Sequence, residues 1–169
     1  MSSLCDIAEN IDLYASSFSI LLKTCRSLGL TFDSSPLYNF RDALAHYRVL
    51  YDSKDTNVQL KQETSLMEHL NRGLRDGYYF ILLHLKLGVR HELKEMQLKS
   101  PELAAVFRKQ LHRYKELELE LRGPAIVSDF QIIISYIDNL LPLLQETRGL
   151  FQKCNLEWNF KSYFNTHII

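Results

Sequence analysis

From Leu4 onward the apolar positions recur at spacings of three and four: Leu4, Ile7, Ala8, Ile11, Ala15, Phe18, Leu21, Leu22, Cys25 and Leu28. That repeat predicts an amphipathic helix, and Gly29 supplies its stop. Ser35-Pro36 reads as a cap followed by proline in the first turn, after which Leu37, Phe40, Leu44, Tyr47 and Tyr51 form the apolar stripe of a second helix. A polar, turn-like stretch from Asp52 to Asn57 follows. A longer helix then runs from about Val58 toward Leu87, with Leu66, Leu70, Leu74, Tyr78, Ile81 and Leu85 in register, and Gly88 is expected to end or loosen it.

Ser100-Pro101-Glu102 opens a fourth helix, which presents Leu103, Phe107, Leu111, Tyr114, Leu117 and Leu121 on one face and stops at Gly123-Pro124. Within it, the run Lys115 to Arg122 alternates leucine with glutamate like a strand, but the length of the helical window decides for helix. The last helix starts near Pro124 or Ser128 and buries Phe130, Ile133, Ile134, Ile137, Leu140, Leu141 and Leu144, with a kink expected at Pro142. No repeat and no long alternating run asks for a sheet, so the pattern predicts an all-α, up-and-down bundle of about five helices.

The 169 residues suit a single domain, residues 1–169, large enough to bury its own core. Twenty basic and twenty acidic residues cancel, so no global field draws in nucleic acid or an anionic membrane, and any such contact must be local. Cys5, Cys25 and Cys154 are odd in number and far apart, which fits free thiols in a reducing cytoplasm. The most apolar stretch, Ile132 to Leu144, is interrupted by polar residues and too short to span a bilayer, and no basic-then-apolar leader opens the sequence. The expectation is a cytoplasmic protein with no membrane anchor.

Several chemistries lack their devices. No Glu-x-x-His pair or His-Glu-x-x-His box is present, and no two of the six histidines lie three or four residues apart, so no metal site is expected. There is no GxxxxGK[ST] loop, GxGxxG turn or GxSxG elbow, so no nucleotide cofactor is expected either.

What stands out is Phe40-Arg41-Asp42-Ala43-Leu44-Ala45-His46-Tyr47 on the second helix. Arg41, a polar residue directly after it, and His46 after four intervening residues resemble the signature of the HEPN superfamily. The resemblance covers this helix and, beyond it, the all-helical architecture. It implies a metal-independent endoribonuclease or RNA-binding protein, acting as a homodimer, with a role in defence or toxin-antitoxin systems. It also implies that Arg41, Asp42 and His46 are the catalytic residues.

The residues allow that chemistry. RNA supplies its own nucleophile, so His46 could take the 2′-hydroxyl proton or protonate the leaving oxygen while Arg41 stabilises charge on the phosphoryl oxygens. Asp42, one turn before His46, could fix the imidazole tautomer. Arg41 and His46 stand about 140° apart around the helix, so a phosphate would meet both most naturally between two facing copies. Tyr47, next to His46, is a candidate binding residue. The bland alternative makes Arg41 and Asp42 solvated charges and His46 a hydrogen-bonded bundle residue.

A second cluster, Glu68, His69, Arg72, Arg75 and Asp76, lies in the third helix, where it could support His46 or bind phosphate. It could equally be an exposed face of Glu68–Arg72 and Arg72–Asp76 ion pairs, each contributing about 0.3 kcal/mol. Gly73 and Gly77, four apart in the same helix, predict the close approach of another helix. The other functional class open to the sequence is a non-catalytic helical adaptor that binds a protein partner, with the aromatic segment from Trp158 to Phe164 as one candidate surface.

Overall fold

The computed structural model describes residues 4–32, 34–123 and 129–156, with the side chains of Leu4 and Cys5 excepted. These residues form six helices and no strand: α1 (Leu4–Ser27), α2 (Ser35–Asp52), α3 (Thr56–Lys99), α4 (Pro101–Leu121), α5 (Phe130–Asp138) and α6 (Leu140–Lys153). The aromatic segment Trp158 to Phe164 lies outside the described residues. Among those described, no helix is long and apolar enough to cross a membrane.

Local signals place most boundaries. Gly29 takes φ of 68°, and the Leu30 and Gly29 amides bond back to the Cys25 and Arg26 carbonyls at 2.9 and 3.1 Å, closing α1 as a left-handed glycine does. The α2 cap falls one residue earlier than the sequence suggests, at Ser34, with Pro36 in the first turn. Asp55 caps α3 by accepting from the amides of Asn57 and Val58 at 2.8 and 3.4 Å. Ser100 alone separates α3 from α4. The residue before a proline is driven out of the helical region, and Ser100 is extended, with its hydroxyl accepting from the Leu103 amide.

Three expectations need correction. Gly88 neither ends nor loosens α3, which continues for three more turns to Lys99, because Val89, Leu93 and Met96 extend its buried face and carry the helix past the glycine. The expected last helix is interrupted at Asn139, which divides α5 from α6, and Pro142 sits in the first turn of α6 where its missing N–H costs nothing. On α2 the buried positions are Pro36, Ala43 and Leu50, while Leu37, Leu44 and Tyr51 of the expected stripe are 52%, 42% and 68% exposed. Phe40 and Tyr47 of that stripe do pack, half-buried, against the core beside Leu50, so the α2 face turned inward is rotated from the expected one and has the small Ala43 in it.

α3 is the central element, packed on α1, α2, α4 and α5. Leu66, Leu70, Leu74, Ile81, Leu85 and Val89 are fully buried along it, in one core with Phe107 and Tyr114 of α4, Ile133 and Ile137 of α5, and Phe151 of α6. Gly73 and Gly77 do mark a close approach. A Cβ on Gly73 would lie 2.5 Å from the Tyr14 hydroxyl and 3.1 Å from Asn39 Cβ, and one on Gly77 would lie 2.8 Å from Leu21 Cδ1. α1 and α2 thus share the notch, joined where the buried Tyr14 hydroxyl donates to the Pro36 carbonyl at 2.7 Å.

Candidate site between the second and third helices

Because α2 and α3 run antiparallel and close, polar residues on their facing sides meet in reciprocal pairs. His46 of α2 has Nδ1 2.6 Å from Gln62 Oε1 of α3, and His69 of α3 has Nδ1 3.3 Å from Asn39 Oδ1 of α2. An amide oxygen only accepts, so Nδ1 donates in both pairs and each neutral ring keeps its lone pair on Nε2. The two imidazoles stack, with ring centroids 5.2 Å apart and planes inclined by 22°. Asn39 is itself fixed by donating to the Ser35 carbonyl at 3.0 Å, and the Ser35 hydroxyl donates to Asp76 Oδ2 at 3.1 Å. A polar seam therefore runs from Asp76 through Ser35 and Asn39 to the histidine pair and Gln62.

Electrostatics follow from this packing. Partial burial, with the neighbouring His46 and Arg72 adding to it, holds the His69 pKa below its ordinary value, against the opposing fields of Asp42 and Glu68. His69 is thereby kept in its neutral form near pH 7. Asp42 has its carboxyl held below the usual range, first by its hydrogen bonds to Arg41 and then by the fields of Arg41, His69 and His46.

The motif residues do not all converge. Arg41 Nε and Nη2 both bond Asp42 Oδ1, at 2.9 and 2.8 Å, and the guanidinium lies 5.4 Å from the centre of the Tyr38 ring, with the side chain 70% exposed. Arg41 thus faces solvent while His46 faces α3, as their angular separation requires. Asp42 spends its hydrogen bonds on Arg41, and the tautomer-setting role expected of it falls to Gln62. Tyr47 is half-buried against the core.

Of the second cluster, His69 joins the site directly and Asp76 through Ser35. Arg72 stays exposed within the electrostatic reach of His69. Glu68 turns away from α2 and lines a depression with Met67, Asn71 and Phe130. Arg75 faces Asp76 at 3.9 Å, and neither Glu68–Arg72 nor Arg72–Asp76 closes to ion-pair distance among the described residues. The i,i+4 ladder expected on this face is therefore not what holds it.

Gln62 and Asn39 were missed by the sequence reading. Their signal was present, because Asn39 and His46 are seven apart on α2, as are Gln62 and His69 on α3, which puts an amide and an imidazole on one face of each helix. Among the described residues no three His, Cys, Asp or Glu side chains form a group suited to a metal ion. Cys25 and Cys154 are free thiols, and burial pushes the Cys25 pKa up to about 12. Comparison of the chain with protein-family models, with curated proteins and with solved structures finds no match in any of the three.

Proposed function

We propose that this protein is a HEPN-like, metal-independent RNA-cleaving or RNA-binding protein that works as a homodimer in the cytoplasm. The observation that carries the reading is the stacked His46–His69 pair, with Nδ1 of each ring tied to an amide oxygen and the Nε2 lone pairs left for proton transfer. In this reading His46 Nε2 removes the proton from a ribose 2′-hydroxyl. The 2′-oxygen attacks the adjacent phosphorus, closing the 2′,3′-cyclic phosphate, and the P–O5′ bond breaks as the 5′-oxygen takes a proton from water to become the 5′-hydroxyl. Arg41 stabilises the charge that builds on the phosphoryl oxygens, and Asp42 holds the guanidinium in place.

Arg41 and His46 face different ways in one chain, so the arginine that meets the phosphate comes from a second copy. The outer face of α2 supports such pairing. Leu37, Tyr38, Leu44 and Tyr51 are exposed there beside Arg41, a larger apolar surface than a solvated helix needs. The same face also favours a second reading, a non-catalytic adaptor that docks a protein partner on α2.

The deciding experiment incubates mixed RNA in EDTA with wild type, His46→Ala and Arg41→Ala. Cleavage to 2′,3′-cyclic phosphate and 5′-hydroxyl ends is expected from wild type, with losses on the order of 10²-fold or more in each variant. Equal cleavage by all three, or none by wild type, removes the nuclease reading. Mixing the two variants tests the dimer, because one chain then supplies His46 and the other Arg41, and partial recovery is expected.

A further inference from the structure

Along the α3–α4 hairpin lie two depressions with Arg122 in the wall of both, taken together as one groove. From α3 it is lined by Arg75, Tyr79, Lys86 and Arg90, whose spacings of four, seven and four put them on one helical face. From α4 come Lys115 and Glu118, and Arg122 follows directly after its last residue. Five cationic side chains thus face two carboxylates, Asp76 and Glu118, in a chain whose formal net charge is zero.

Both carboxylates are already engaged. Asp76 accepts from Ser35. Glu118, 17% exposed, accepts from the Lys86 ammonium, the Tyr79 hydroxyl and Arg122. These contacts fix three donors around one carboxylate and leave excess positive charge facing outward. Arg90 and Lys115 close no ion pair among the described residues. Arg72, exposed beside His69, continues the stripe toward the histidine pair. At 1.5 Å per residue, the path from Arg72 to Arg90 covers about 27 Å.

The groove is not uniformly polar. Tyr79 and Leu87 lie in it, and Leu119 on its rim is 70% exposed. Cations that track a backbone beside an aromatic and apolar floor suit a strand whose bases are unpaired, because a duplex hides its base faces. We propose that the α3–α4 groove binds the phosphate backbone of single-stranded RNA and leads it toward His46 and His69. The choice of RNA over other polyanions rests on the proposed function, whereas the groove rests on its own geometry.

The test uses the full chain and a 2′-O-methyl oligouridine of about 16 nucleotides, which lacks the nucleophile for cleavage, so binding is read independently of chemistry. Fluorescence anisotropy over a salt series compares wild type with the double variant Arg90→Gln, Lys115→Gln and with Lys23→Gln, a change at an exposed cation on α1. The double variant is expected to bind about tenfold more weakly at low salt. Its slope of log K against log salt should fall by about 0.7 for each cation removed. Lys23→Gln should bind as wild type does.

Wild-type affinity in the double variant, an equal loss in Lys23→Gln, or equally tight binding of a duplex overturns the proposal. If unmodified RNA is not cleaved but the groove variants still lose binding, the groove stands and the nuclease reading falls. If RNA is cleaved but binding does not depend on the groove residues, the nuclease reading stands and the groove falls.

Discussion

At Gly73 a single added carbon would meet the hydroxyl and ring of a fully buried tyrosine. Tyr14 cannot retreat, since its ring stacks on Phe40 at 4.9 Å and its hydroxyl is bonded to Pro36. Gly73→Ala is therefore expected to lower stability by about 1–3 kcal/mol despite the better helix propensity of alanine. Gly77→Ala should cost less, because the nearest atom is the end of the Leu21 side chain. Urea titration of both variants checks the order.

His46 offers a second prediction at this scale. Long-range ¹⁵N NMR of the neutral ring should show the proton on Nδ1, and Gln62→Leu should abolish that preference. Cleavage should then fall by tenfold or more, within the roughly 10²–10⁴-fold that a general base contributes. Arg41, Asp42 and His46 were visible in the sequence as a motif, but their partners were not. Pairing Gln62 with His46 requires knowing that α2 and α3 run antiparallel and at what separation, and one chain's periodicity carries neither.

Among the helices, those with strong caps and a continuous apolar face were legible. The α3 register from Leu66 to Leu85 and the Ser100-Pro101 start of α4 stand where the pattern put them. The errors have a common cause, which is that tertiary packing overrides a local cue. Gly88 reads as a breaker, yet the buried residues beyond it keep α3 helical to Lys99. The α2 stripe of Leu37, Leu44 and Tyr51 reads as a core face, yet the narrow approach to α3 selects Ala43 for the inside. The Asp55 cap supports the start of the longest helix, so Asp55→Ala should cost about 1 kcal/mol. It should also raise amide exchange first in the residues just after it, which hydrogen exchange resolves by position.

For the molecule as a whole, two histidines couple stability to pH. His69 and His84 both have pKa values below 6.5, in each case mainly through burial. The unfolded chain therefore takes up these protons more readily than the folded one. The stability these two groups contribute is fully present above about pH 6.5 and declines as pH falls through the lowered values. His69→Gln should flatten part of that decline and leave the part due to His84, as thermal melts from pH 7.5 down to pH 5 would show.

The notch in α3 also has a metrological side. Gly73 is one turn from His69, and its missing Cβ is what allows Asn39, the residue that holds the His69 ring, to sit so near. The gap between the two imidazoles is thus calibrated by an absence. A larger residue at that point would act as a shim, prising α2 outward and detuning the histidine pair even in a chain that still folds.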